Sequence, residues 1–466
     1  MNSRTSVADR GWLLALAALG VVVAAAIGGT GHGLPLWTLD SPGYVRWDVD
    51  RTPLYPLLLW LVSRLTPEFG LLAWVQYGAL IVTTVVFARA LGRLLATPGI
   101  GIAVGLLVFL NFYLMRQPTA IHPEAVYLSF ILLHCAAVMA SLRDSQSRWP
   151  ALAGLMLGLA ILTRPVGYAY IAALPLLVLV WRERRWARSA VLAAGVAVPL
   201  LVASLGDYVW RGYFATQAFG GTNLGQQVAE FFPERVDGFP EAPFATYNAR
   251  LRPIREALGK ATDWQVRSLI EALSNGDQYE AMSHLGVDIV AADQTRRRTD
   301  SLMSQAVAAN QVIWLMAPHV IAAHPLDYLA KAARQFYGLW FYQQLVDPAL
   351  ADRLLDVYRA TTGEAGVQLQ STQIKIVPGW VWAIKTVGLA VILLACAAAV
   401  VWGLLVADAA VQGLGYLALG VFAYAALTAA VQTAVVRYSL EMWPEQVAAT
   451  IGLGWLAWRR FRRRPG

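Results

Sequence analysis

The chain has 466 residues, of which 58% are hydrophobic and 14% charged, and its mean hydropathy is +0.51. A soluble enzyme does not carry so apolar a composition, which leaves a polytopic membrane protein. The net charge of +8 does not argue for nucleic acid, because the basic runs at 182–188 and 459–464 abut apolar segments, as positive charge does at the cytoplasmic ends of membrane spans.

In chain order, Trp12 to Gly29 is preceded by basic residues and is long enough to cross a bilayer. A signal peptide can begin the same way, and Ala24-Ala25-Ala26 imitates a cleavage site, but the many later spans favour a retained first helix. A polar loop follows, Leu39-Asp40-Ser41-Pro42-Gly43-Tyr44 and then Asp50-Arg51-Thr52-Pro53-Leu54-Tyr55-Pro56. Residues 53–65 are apolar but too short to span, and their leading prolines suit the start of a helix lying along the interface. Further spans are expected at 70–93, 99–115, 124–141, 150–163, 167–182 and 188–206.

From Asp207 to about Ile376 the composition turns polar, and a mostly α-helical insert is expected there. Inside it, His324-Pro325-Leu326-Asp327-Tyr328 opens a stretch rich in aromatic residues through Tyr342, the mark of a helix at or dipping into the lipid interface. Spans at 378–406, 411–435 and 440–458 complete the chain. The predicted fold is therefore an all-α polytopic membrane protein with about ten spans, or twelve if a further pair lies between Val307 and Val346. It divides into an N-terminal membrane module over 1–206, an insert over 207–376, and C-terminal spans with a basic tail over 377–466. With a cytoplasmic N-terminus, Arg89, Arg93, Arg143, Arg148, the 182–185 turn and the 459–464 tail all fall inside. Asp40 to Pro56, 116–124, Thr163-Arg164-Pro165, the insert and Arg437-Tyr438 then share the outer face.

Cys135 and Cys396 lie in apolar stretches and imply neither a metal site nor a disulfide framework. The six histidines have no metal-ligand spacing. Gly220-Gly221-Thr222-Asn223-Leu224-Gly225 lacks the strand–turn–helix context of a phosphate loop.

The outer loop carries the chemistry. A carboxylate there can take a proton from a sugar hydroxyl, and an arginine nearby can hold a phosphate whose lipid tail stays in the bilayer. Asp40-Ser41-Pro42-Gly43-Tyr44, Arg51-Thr52-Pro53-Leu54-Tyr55-Pro56, Glu124 and Gly158-Leu159-Ala160-Ile161-Leu162-Thr163-Arg164-Pro165, with Arg437-Tyr438 and Trp443-Pro444 later, resemble the GT-C integral-membrane glycosyltransferases. The nearest branch is that of the protein O-mannosyltransferases and lipid A aminoarabinose transferases. The resemblance covers, with gaps, roughly the first 200 residues, and the insert has no part in it. It implies that Asp40 acts at the reacting centre, Arg51 contacts the lipid phosphate with Asp50 in support, and Glu124 matches a further acid. Ser41 stands where the family often has a second acid, and Gly43 where aminoarabinose transferases carry arginine.

Each residue also has a plainer reading. Asp40 can be a helix-capping acid, Arg51 and Arg164 interfacial cations, Glu124 an acid stabilised by a helix dipole, and His122 an interfacial hydrogen-bonding residue. Arg437 departs from the positive-inside trend, which an anionic lipid head would explain. Tyr44, Tyr55 and His122 complete the expected substrate contacts. The expected function is transfer of a sugar from a polyprenyl-phosphate donor to a glycan, lipid or protein hydroxyl outside the inner membrane. No cofactor is required and a divalent cation is optional, since arginines carry the phosphate charge. The rival class is a transporter or flippase, disfavoured because the polar candidates gather on one face rather than at the midplane.

Overall fold

The computed structural model describes residues 4–28, 35–38, 40–144, 146–181, 183–217, 220–237, 239–292, 302–341, 345–362, 375–431 and 436–462. They are almost wholly helical. In chain order the helices are α1 (Arg4–Gly28), α2 (Ser41–Arg46), α3 (Leu54–Leu65), α4 (Leu72–Leu94), α5 (Pro98–Phe109), α6 (Phe112–Arg116), α7 (Glu124–Arg143), α8 (Arg148–Thr163), α9 (Leu174–Val180) and α10 (Arg185–Arg211). The insert follows with α11 (Gly220–Val228), α12 (Glu241–Lys260), α13 (Trp264–Leu273), α14 (Asn275–Ala292), α15 (Leu302–Ala323), α16 (Pro325–Phe341) and α17 (Pro348–Thr362). The last helices are α18 (Gly379–Leu405), α19 (Ala409–Val431), α20 (Val436–Glu441) and α21 (Trp443–Arg462). Among the described residues the strands are one two-residue parallel pair, Leu345–Val346 with Lys375–Ile376.

Among the described residues, seven helices are long and apolar enough to cross a membrane, and an eighth span results if the bent pair 98–109 and 112–119 counts as one. These include residues 305–323 of α15, which overlap the 307–346 stretch where a further pair of spans is expected. The expected spans at 150–163 and 167–182 are shorter apolar helices, and 54–65 is a third such helix. The predicted class, an all-α polytopic membrane protein, is the one observed.

The chain forms two compact units, one of residues 1–216, 392–424 and 440–466 and the other of 217–391 and 425–439. In the first unit, α8 and α10 approach until a Cβ added at Gly154 would lie 2.1 Å from the Leu192 carbonyl oxygen, and one at Gly195 2.8 Å from that of Ala151. Small residues let helix backbones meet where lipid supplies no hydrophobic drive for association. That contact holds α8 in place, and the end of α8 carries Thr163 and Arg164. The second unit packs around Val228, Phe232, Phe244, Met282, Leu285 and Ile313.

Candidate active site

Asp40 stands at the N-cap position of α2, yet its side chain makes no capping hydrogen bond. Its carboxylate instead accepts from Arg51 Nη2 at 3.2 Å. A reversal of the chain brings these residues together. Trp47 closes α2 in the left-handed region, with φ of 54°, a conformation unfavourable for a bulky residue. The Trp47 ring packs edge-on against Trp210 at 5.1 Å, and Arg211 holds it from below, with the guanidinium 5.1 Å from the ring centre and Nη2 donating to the Trp47 carbonyl at 3.0 Å. Arg211 is itself paired with buried Asp207 one turn earlier, at 3.5 Å. This clamp offsets the strain of the turn and returns Asp50 and Arg51 to Asp40.

Arg51 thus sits among three partners. Besides Asp40 it lies 3.5 Å from Asp50, and its guanidinium covers the Tyr44 ring at 4.6 Å. Gly43 leaves the room for this, since a Cβ there would stand 3.0 Å from Arg51 Nε and 3.3 Å from Asp48 Oδ2. Burial raises the Asp50 carboxyl above its ordinary pKa against the lowering effect of Arg51. Burial likewise pushes the Tyr44 phenol up to about 12, with Arg51, Glu124, Arg164 and Asp40 all contributing to its field. Tyr44 therefore lies between the Asp40–Arg51 pair and a second cluster around Glu124. Tyr55 is fully buried; its ring meets Tyr44 edge-on at 5.2 Å and its hydroxyl donates to Gln76 at 3.4 Å.

The second cluster is deeper. Glu124, in the first turn of α7, lies 3.8 Å from Arg164 and 3.6 Å from His122, and its side chain is 3% exposed. Arg164, just past α8, also pairs with Glu441 at the end of α20, and Glu441 accepts from the Tyr424 hydroxyl at 2.5 Å. A small cavity beside Glu124 and Glu441, bounded by Leu80, Gln117 and Leu128, holds about 10 Å³, room for one water-sized group. Thr52 Oγ1 donates to the Thr163 carbonyl at 2.8 Å, which ties the Arg51 loop to Arg164.

Ser41, standing in the place of an acid, is fully buried and structural: Thr38 N donates to its Oγ at 2.8 Å, and that Oγ donates to the Ile121 carbonyl at 3.1 Å. Thr38 Oγ1 meets His122 Nε2 at 2.5 Å, and Leu36 bridges 119–121 through backbone hydrogen bonds. These contacts join the loop before α3 to the segment carrying His122 and Glu124. Arg46 pairs with Asp48 at 3.0 Å in the exposed part of the loop. The Arg437 side chain lies outside the described residues.

Of the expected residues, Asp40, Asp50, Arg51 and Tyr44 form one cluster and Glu124, His122 and Arg164 the other. Three contributors were not foreseen: Glu441, Arg211 and Asp207. Glu441 carried a usable signal, an acid at the edge of an apolar span beside the already singled-out Arg437-Tyr438. Arg211 and Asp207 carried the weaker one of an i, i+4 ion pair at the end of a long apolar helix. Among the described residues no three His, Cys, Asp or Glu side chains gather as a metal ion would require.

A helical membrane protein with paired carboxylate–arginine clusters at its helix ends is the class these features define. Residues 50–206 match the family model described as dolichyl-phosphate-mannose-protein mannosyltransferase. That match covers about a third of the chain. No curated protein matches the chain in sequence. Among solved structures, it is similar to the archaeal oligosaccharyltransferase AglB from Archaeoglobus fulgidus, in complex with an inhibitory peptide and a dolichol-phosphate, at 10% identity and TM-score 0.44, over 97% of this chain and 51% of that one. It is also similar to ArnT from Cupriavidus metallidurans bound to undecaprenyl phosphate, at 15% identity and TM-score 0.36, over 90% and 78%. The chain spans about half the length of the oligosaccharyltransferase.

Proposed function

We propose that this protein transfers a sugar from a polyprenyl-phosphate donor to an acceptor hydroxyl on the outer face of the inner membrane, by a single inverting displacement. The observation that carries the reading is the Asp40–Arg51 pair at 3.2 Å, a base and a phosphate ligand in contact at the loop that begins the matched segment. Asp40 is the better base of the two principal acids because its side chain is 30% exposed, whereas Glu124 is 3% exposed and is engaged with Arg164. The acceptor O–H proton passes to Asp40, the oxygen attacks the anomeric carbon, and the bond from that carbon to the phosphate oxygen breaks, so polyprenyl phosphate leaves with the electron pair. Arg51 stabilises the charge that develops on the phosphate. Donor binding also frees the base: the phosphate competes with Asp40 for one guanidinium, and Asp40 turns to the acceptor as Arg51 takes the phosphate.

In this reading Glu124 and Glu441 hold Arg164 as a second cation near the site, and Tyr44 and His122 line the sugar pocket. Arginines carry the phosphate charge, so no cofactor is required and a divalent cation is optional. The reading sets the termini in the cytoplasm and rests on the family match and on the basic clusters.

The test uses protein in nanodiscs supplied with polyprenyl-phosphate hexoses and pentoses and a membrane extract as acceptor. Free polyprenyl phosphate is released by the wild type, while Asp40→Asn binds donor normally and releases none, because an amide keeps the shape without the basicity. Wild-type turnover in Asp40→Asn removes Asp40 as the base. Movement of intact lipid-linked sugar without cleavage identifies a flippase instead.

A further inference from the structure

The insert contains a charged cleft that takes no part in the transfer reading. It is an open cavity of about 390 Å³ between α12, α13 and α16, lined by Arg255, Arg267, Arg334, His324, Glu230 and Asp327. Behind it lies a buried ionic network. Glu271, fully buried, accepts from Arg334 Nε at 2.7 Å and Nη2 at 2.5 Å and from Gln335 at 2.7 Å. Glu230 accepts from Arg267 Nη2 at 3.2 Å and lies 3.9 Å from Lys331 and 3.8 Å from Arg334. Lys331 has no exposed surface and donates to Gln278 at 3.1 Å.

The charges do not balance. Arg255, Arg267, Lys331 and Arg334 face Glu230, Glu271 and, at the rim, Asp327, four cations against three carboxylates, an excess of one. Burial, with Glu230 next in effect, raises the Glu271 carboxyl above its ordinary pKa, while Arg334 and Lys331 act to lower it. Uncompensated buried charge is costly, and a protein keeps such a set where a ligand supplies the counter-charge. The donors are also prepared. Arg255 is locked by its Nη2 bonds to the Ala229 and Phe232 carbonyls, at 3.0 and 2.9 Å. Its Nε, like that of Arg267, is buried with no hydrogen-bond acceptor among the described residues. Arg267 is the least enclosed of the cleft arginines bound to these acids, with its side chain 35% exposed.

We infer that this cleft binds a phosphoryl anion, as inorganic phosphate or as the headgroup of a phosphomonoester lipid, through Arg267, Arg255 and Arg334. Such an anion supplies the missing counter-charge, and planar guanidinium groups suit its oxygens. Asp327 at the rim, 68% exposed and 3.4 Å from His324, opposes the bound anion weakly.

The experiment is calorimetric titration of the full chain in phosphatidylcholine nanodiscs with inorganic phosphate, alongside nanodiscs containing phosphatidic acid. One saturable site is expected. Arg267→Gln should weaken it about tenfold and Arg267→Lys less, as for loss of one charge-assisted contact, while Asp327→Asn should tighten it about twofold. Arg51→Ala should leave it unchanged, which separates this site from the transfer site. Binding of inorganic phosphate unaffected by phosphatidic acid indicates a soluble occupant; competition by phosphatidic acid indicates the lipid headgroup. The inference is overturned if neither binds saturably, or if a folded Arg267→Gln retains the wild-type Kd. Should Arg267→Gln not fold, an Asp327→Asn protein that binds phosphate no tighter than wild type overturns it equally.

Discussion

Arg51→Ala removes a guanidinium that faces Asp40 at 3.2 Å, Asp50 at 3.5 Å and the Tyr44 ring at 4.6 Å. Its side chain is 18% exposed, so its contacts are partly shielded from water. A charge-assisted hydrogen bond in such a place is worth roughly 1.5–3 kcal/mol. At about 1.4 kcal/mol per factor of ten, its loss lowers kcat/KM by roughly 10- to 150-fold. Because the proposed phosphate is bound in the ground state and gains charge as it leaves, the loss divides between a higher donor KM and a lower kcat. Arg51→Lys keeps a point charge without the bidentate fork and recovers part of both. The assay is steady-state release of polyprenyl phosphate against donor concentration in nanodiscs. A solvent-exposed arginine would cost well under about 1 kcal/mol; kinetics for Arg51→Ala within about twofold of wild type would refute the assignment and leave Arg164 and Arg437 as phosphate candidates.

Gly43→Ala puts a methyl group where Arg51 Nε now stands 3.0 Å away, so donor KM should rise with little loss of folding, as read by kinetics and thermal melting together. Glu441→Ala strips a partner from buried Arg164 and should destabilise the protein by roughly 3–5 kcal/mol, seen as a large fall in melting temperature; an unchanged melt would mean that the pair is of no consequence to the fold. Asp50 has its pKa raised by burial, so the folded state binds its proton more tightly than the unfolded state does. Stability from this group is therefore full below the unfolded pKa and lost as pH rises through the folded one, and Asp50→Asn should flatten that decline in melts taken across the acidic range. For topology, a cysteine introduced near Asn275 should react with an impermeant thiol reagent from outside and one near Arg184 should not; the reverse pattern would put Asp40 on the side of nucleotide sugars.

Much of this protein is written locally. Hydropathy over about twenty residues marks a span whatever surrounds it, because a helix in lipid satisfies its own backbone hydrogen bonds. For the same reason the first helix, the polar outer loop and the change of composition after Asp207 could be read from the order of residues. Asp40, Arg51, Glu124 and Arg164 can be singled out as candidates in the same way, since their motifs are short and lie close to helix ends.

The partnerships among them were decided by tertiary structure. No local pattern shows that Asp40 gives up a capping bond for Arg51, because that depends on the left-handed turn at Trp47 and on a clamp from Arg211, which stands 164 positions away. Nor does any spacing connect Arg164 to Glu441 across 277 positions. The insert makes the same point. Glu230, Glu271, Lys331 and Arg334 read as solvated charge in a polar stretch, and only packing reveals that Glu271 and Lys331 have no exposed surface. Hydrophobic periodicity records which residues avoid water, whereas an ion pair records which two groups meet, and that depends on how helices distant in sequence come to pack.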